Sequence, residues 1–234
     1  MNKEKFYTEL SKLGIELSEK QKGDLENFAH LLLEYNKHTN ITAIRDTHGV
    51  YLKHFYDSLT LVKVYDFNKN IDLLDVGSGG GFPGIVLAIV YPNLKVTLLD
   101  SNHKKSDFQK YIVDKLKLNN VLVVNDRAEN YYKKGIKYDL VVARAVANLS
   151  VLSELCIPFV KNGGYFISMK GDSALEIEEA KGAIEFLGGN LENICTFCLQ
   201  NDEDIRNLVV IKKEKDTPSG YPRIYDKIVK KPIK

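Results

Sequence analysis

From residue 71 onward the chain alternates short apolar runs with stretches of helical periodicity, and this alternation limits the possible folds more than any other feature. The runs cover residues 71–76, 94–99, 121–124, 140–143 and 165–169. Between them lie segments near 83–91, 102–118, 127–134, 148–160 and 173–187. Strands separated by helices form crossover units, and crossovers build a mainly parallel sheet. The stretch 190–213 reads as two further strands with no helix between them, so these run antiparallel and close the sheet. The expected class is α/β: a doubly wound, mainly parallel, seven-stranded Rossmann-like sheet. Such a sheet binds its ligand beyond the carboxyl ends of the strands, where strand order reverses.

The first 65 residues read as helical. Ser18-Glu19-Lys20-Gln21 has capping-box spacing. Leu25, Phe28, Leu32 and Tyr35 recur at helical intervals, and a second stripe runs through Leu52, Phe55, Leu59 and Val62. The expected organisation is an N-terminal helical extension over 1–65, a ligand-binding sheet domain over 66–214 and a basic tail over 215–234.

The 234 residues suffice for one sizeable core. No apolar run approaches the roughly 20 residues that span a bilayer, and Met1-Asn2-Lys3-Glu4-Lys5-Phe6 lacks the apolar core of a leader. A cytoplasmic protein without membrane contact is expected. Three cysteines do not suggest a disulfide framework. Cys195 and Cys198 form a lone C-x-x-C whose odd spacing in a strand turns them to opposite faces, so no metal site is expected. The net charge of +2 conceals an asymmetry: residues 212–234 carry +5 and the rest −3. A basic tail on a mildly acidic body suggests a polyanionic partner, against the plainer reading of a solvated terminus.

The first strand leads into Asp75-Val76-Gly77-Ser78-Gly79-Gly80-Gly81-Phe82-Pro83-Gly84. Glycines permit a tight turn and close approach of a ligand to the backbone. Gly79 to Gly84 also satisfies G-x-G-x-x-G, which admits a dinucleotide. Asp75 argues against it, because a carboxylate there repels a pyrophosphate and attracts a ligand bearing a sulfonium and an ammonium. Asp100 ends the second strand, where an acid can accept both hydrogens of a ribose diol or simply cap the next helix. Asp126-Arg127-Ala128-Glu129 follows the third strand, at the place of a nucleobase edge or of a plain helix start. Arg144 follows the fourth strand, where a cation can bind a phosphate, a base edge or a cofactor carboxylate, or simply form a surface salt bridge; it is the best candidate for a cation in the pocket. Cys156 sits in an apolar helix and reads as core. His54, Asp57 and Ser58 have a triad's composition, but crowded on one helical turn they cannot easily bond in series.

Asn36-Lys37-His38-Thr39-Asn40-Ile41-Thr42-Ala43-Ile44-Arg45-Asp46, then His54-Phe55-Tyr56-Asp57-Ser58-Leu59, the glycine loop, Asp126-Arg127-Ala128-Glu129 and Ala143-Arg144-Ala145 occur in that order. Together they resemble the small-subunit rRNA methyltransferase G family (RsmG, also called GidB). The resemblance implies an S-adenosyl-L-methionine-dependent methyltransferase sheet acting on N7 of one guanine in bacterial 16S rRNA, as naked rRNA or in a small-subunit ribosome particle. With Asp75 and Gly79 of the loop, it places cofactor contacts on Gly77, Phe82, Asp100, Ser101, Asn102, Ala128, Glu129 and Arg144. Guanine N7 has a lone pair and no proton, so no catalytic base is expected. A monomer is expected, with Arg45, Arg223, Lys227, Lys230 and Lys231 gripping RNA, and with the tail outside the set of loops that holds the cofactor. A non-catalytic RNA-binding protein on the same scaffold is the alternative; the intact Gly77, Gly79, Asp100 and Arg144 argue against it. Two positions depart from the family pattern: Tyr35 stands for Trp, and Asp226-Lys227-Ile228 for a Gly-x-Pro.

Overall fold

The computed structural model describes residues 1–144, 147–199 and 204–233. Seven strands form one sheet in the order β3-β2-β1-β4-β5-β7-β6. They are β1 (Asp72–Val76), β2 (Lys95–Asp100), β3 (Val121–Asn125), β4 (Tyr138–Arg144), β5 (Val160–Lys170), β6 (Gly189–Cys198) and β7 (Ile205–Lys213). β2 with β3, β1 with β4 and β4 with β5 run parallel, whereas β7 runs antiparallel to both β5 and β6. Every apolar run became a strand, and the last two close the sheet as the missing helix between them required. β5 starts earlier than its apolar run and takes in Asn162-Gly163-Gly164, with a register shift between Tyr138 and Leu140 on the partner and Gly163 at φ 85.

Two compact units make up the chain, one of Met1–Asn70 with Ser78–Asn125, the other of Ile71–Gly77 with Asp126–Lys234. The first unit groups the N-terminal helices with β2, β3 and the helices around them. The helix Glu19–Asn36 starts at the expected capping box, in which Ser18 and Gln21 bond reciprocally. Gln21 then donates onward to the Ile89 and Val90 carbonyls, while Tyr35 lies against Phe108 and Tyr111. The second apolar stripe winds as a π-helix over Val50–Tyr56, burying six of its seven residues. Reading that stripe at the ordinary helical period identifies its buried face but not its i→i+5 pairing.

In the second unit the chain after β7 is not a solvated end. It forms the short helix Tyr225–Lys230, with Ile228 fully buried. The Tyr221 ring meets Phe186 edge-on at 5.0 Å. Six helical residues are too few to show a period, so this element left no mark in the sequence. Asp226-Lys227-Ile228 lies inside it.

Lys213 closes β7 with its ammonium buried, donating to the Leu187 carbonyl and the Thr217 hydroxyl. Burial pushes its pKa from the ordinary 10.5 down to about 8; Lys137 adds to the shift and Asp216 opposes it. Between those values the unfolded chain binds more protons than the folded one, so stability rises with pH. Compared with Lys213→Met, the wild-type protein should gain about 3 kcal/mol from pH 8 to pH 10.5. Urea unfolding across that range measures it; a pH-independent difference between the two proteins would show that burial does not oppose the charge.

Candidate functional site

Strand order reverses between β1 and β4, and the register that pairs Asp75 with Val142 brings Gly77 and Arg144 out of the sheet at one edge. The sequence places its strongest ligand signals at this edge. Asp75 is fully buried and Arg144 half-buried. Ala145 and Val146, which complete the motif around Arg144, lie outside the described residues.

In the first unit the glycine loop folds back on itself, with the Gly81 and Phe82 amides donating to the Ser78 carbonyl. Gly77 at φ 70 and Gly79 at φ 59 need glycine for their backbone conformation. Gly81, at φ 87, serves packing too, since a Cβ there would run into the Ile85 side chain. Asp100 holds the loop down: its Oδ2 accepts the Gly79 amide at 2.8 Å and its Oδ1 the Asn102 amide at 2.8 Å. The carbonyl of Asp100 takes Ser106 and Asn125 side chains. The capping alternative for Asp100 is thus corrected, because Asn102 caps the helix His103–Leu116 by accepting from Lys105. Asp100 is only 7% exposed, yet each carboxylate oxygen keeps a lone pair beyond its amide partner.

Sequence reading missed Gln109. Fully buried, it donates to the Gly79 carbonyl at 2.8 Å, while Asp100 accepts the Gly79 amide. A single amide on an amphipathic helix gives no signal of such a role. Phe82 is buried with its ring stacked on His54 at 4.2 Å and on Phe28 at 5.2 Å. Its side chain therefore anchors the helical lobe, and any ligand contact at this position falls to the backbone. His54 Nε2 lies 2.9 Å from the Thr42 hydroxyl, while the Ser58 hydroxyl donates to the His54 carbonyl. Ser101 and Asn102 are exposed beside Asp100.

The second unit carries Ala128 and Glu129, both buried. Glu129 Oε1 accepts the Tyr225 amide at 3.1 Å, and Arg127 lies 3.9 Å from the same oxygen. Burial pushes the Cys156 thiol up, with Asp75 adding to the shift, as suits a core cysteine. Among the described residues no group of three or more His, Cys, Asp or Glu could hold a metal, and no helix is long and apolar enough to cross a membrane.

Of the side chains expected on RNA, Lys227, Lys230 and Lys231 are exposed. Arg45 is exposed too, tied to its own loop through the Asn36 carbonyl and the Asn40 side chain. Arg223 requires a correction. Its guanidinium forks onto Glu154 through Nε at 2.9 Å and Nη2 at 2.6 Å, and its amide donates to the same carboxylate. Glu154 is 0% exposed. A bidentate pair with a buried acid commits Arg223 to the fold. The one acid in the apolar stretch 149–159 was the available signal that a buried cation had to come from elsewhere.

A model of the family described as GidB, rRNA small subunit methyltransferase G, matches residues 21–209. The ribosomal RNA small subunit methyltransferase G of Bacillus cytotoxicus is 49% identical over 227 residues, 95% of each chain. The precorrin-6y C5,15-methyltransferase structure from Geobacter metallireducens aligns with a TM-score of 0.52 at 16% identity, covering 68% of this chain and 86% of that one. The M. jannaschii TYW2 structure, solved in complex with AdoMet, aligns with a TM-score of 0.51 at 20% identity, covering 62% and 68%. These two structures share the fold. With a family model and a near-full-length relative both matching, the chain belongs to the rRNA small subunit methyltransferase G family.

Proposed function

We propose that the protein transfers the methyl group of S-adenosylmethionine to N7 of a guanine in bacterial 16S rRNA. The observation that carries this reading, beside the family, is the Asp100 carboxylate bound to the Gly79 amide. It fixes the glycine loop and keeps acceptor capacity for a diol, which fits an adenosyl group. Asp100, Ser101 and Asn102 would hold the ribose, and Ala128 and Glu129 the base. Asp75, Gly77, Gly79 and the Phe82 backbone would line the amino-acid end, with Arg144 placed to meet a carboxylate or the RNA. The bound cofactor supplies an electrophilic methyl on a sulfonium.

The chain's own task is alignment. The acceptor nitrogen carries a lone pair and no proton, so a buried, base-free site is sufficient. Positioning alone can supply roughly 7–11 kcal/mol of a barrier. As the base becomes cationic, carboxylates and carbonyls at the strand ends stabilise it. Lys227, Lys230 and Lys231 would bind phosphates, which confers affinity without sequence choice.

Incubation with labelled S-adenosylmethionine and 16S rRNA, naked or in small-subunit particles, followed by mapping of the modified base, tests the reaction. Label on a base atom other than guanine N7 would overturn the specificity. Asp100→Asn should weaken S-adenosylmethionine binding by about 1–3 kcal/mol in calorimetry; unchanged affinity would leave Asp100 as a clamp on the loop alone. Replacing Lys230 and Lys231 by Ala should weaken RNA binding and lower the slope of log affinity against log salt by about 0.7 per lost contact on a single strand. A wild-type slope would move the RNA grip to Arg45, Arg144 or the lysines of 104–117.

A further inference from the structure

We propose that the C-terminal tail is a clasp on the cofactor site, in which the Tyr225 amide positions the Glu129 carboxylate and the Arg223–Glu154 pair holds Tyr225 in place. The proposal rests on the reading of Glu129 as a cofactor-holding residue. It departs from the expectation that the tail stands apart from the loops of that site.

Glu129 is 7% exposed, and a carboxylate so buried needs donors to remain in place. Among the described residues its hydrogen-bond donor is the Tyr225 amide, at 3.1 Å. Arg127 stands at 3.9 Å and is more than half exposed, so it steadies the charge without fixing the direction of the carboxylate. Its guanidinium also lies over the Tyr225 ring, 5.8 Å from the centroid. A residue remote in sequence thus aims the acid, leaving Oε2 for a ligand.

Tyr225 is held on both sides. Two residues before it, Arg223 makes three hydrogen bonds to the fully buried Glu154, and its Nη2 also donates to the Lys231 carbonyl at 3.1 Å. Three residues after it, Ile228 is fully buried. The segment 223–231 is therefore pinned by a buried ion pair, an apolar plug and a backbone tie. Lys227, Lys230 and Lys231, exposed on this segment, are fixed to the element that aims Glu129. If RNA engages them only when the clasp is closed, cofactor and RNA affinities are coupled, and the coupling acts equally in both directions.

The amide can be removed with little other change. Tyr225 opens its helix, where proline is tolerated because that amide has no partner within the helix. Ile224 before it has φ −64 and ψ 143, the extended region that a following proline requires. Tyr225→Pro deletes the donor and the ring, whereas Tyr225→Ala deletes the ring alone.

Calorimetric titration of the full chain with S-adenosylmethionine, beside thermal melts, should find Tyr225→Ala within about twofold of wild type and Tyr225→Pro about tenfold weaker, since the lost bond goes to a charged acceptor. Arg223→Lys keeps the charge against Glu154 and loses the fork. It should also weaken binding several-fold without touching the cofactor, which covers the case in which the proline variant does not fold. Equal affinity of the Pro and Ala variants, or wild-type affinity in Arg223→Lys, overturns the clasp. Absence of binding by the wild-type chain itself would instead remove the reading of Glu129, and the clasp with it.

Discussion

One carboxylate holds the ligand-side geometry of the first unit together. Asp100 sits at the end of β2 and ties the Gly79 amide to the Asn102 amide through its two oxygens. Its own carbonyl is gripped by Ser106 and Asn125. Backbone amides of a glycine-rich loop have no ladder partners and cost energy when buried unpaired. Asp100 accepts the Gly79 amide, and Gln109 donates to the Gly79 carbonyl, which offsets part of the entropy that the loop's glycines lose on ordering.

The second unit solves a different problem, that of placing acids where little water reaches. Glu154 lies on the apolar helix Leu149–Cys156 and is fully buried. A lone carboxylate there would be strongly destabilising, and the forked pair with Arg223 offsets that cost. The pair also helps to settle the course of residues 223–231, together with the buried Ile228, the Lys231 carbonyl and the Tyr225 amide on Glu129. Charge that looks in sequence like a uniform basic tail is thus of two kinds: Lys213 and Arg223 are engaged within the fold, and Lys227, Lys230 and Lys231 are exposed.

Phe82 carries a packing role that its place in the glycine loop does not announce. It lies in the glycine loop, and its ring is stacked between His54 and Phe28. The helical lobe is thereby joined to the loop that follows β1 by aromatic contact inside one compact unit. That unit contains both the N-terminal helices and Ser78–Asn125.

The sequence by itself determined the elements and their order. Apolar runs and helical stripes record burial along one strand or one helix face, and burial of this kind is a local pattern. It also pointed to the glycine loop, Asp100 and Arg144 as candidates, because ligand residues of such a sheet are expected at strand ends, beside strands that are themselves legible. Only the tertiary structure decided that Asp100 clamps Gly79, that Arg223 belongs to Glu154 and that Tyr225 aims Glu129. These partners stand 21, 69 and 96 residues apart. A hydrogen bond or an ion pair constrains two residues without leaving a period between them. No pattern along the chain can therefore distinguish an arginine that waits for a phosphate from one that has already been taken by a buried acid.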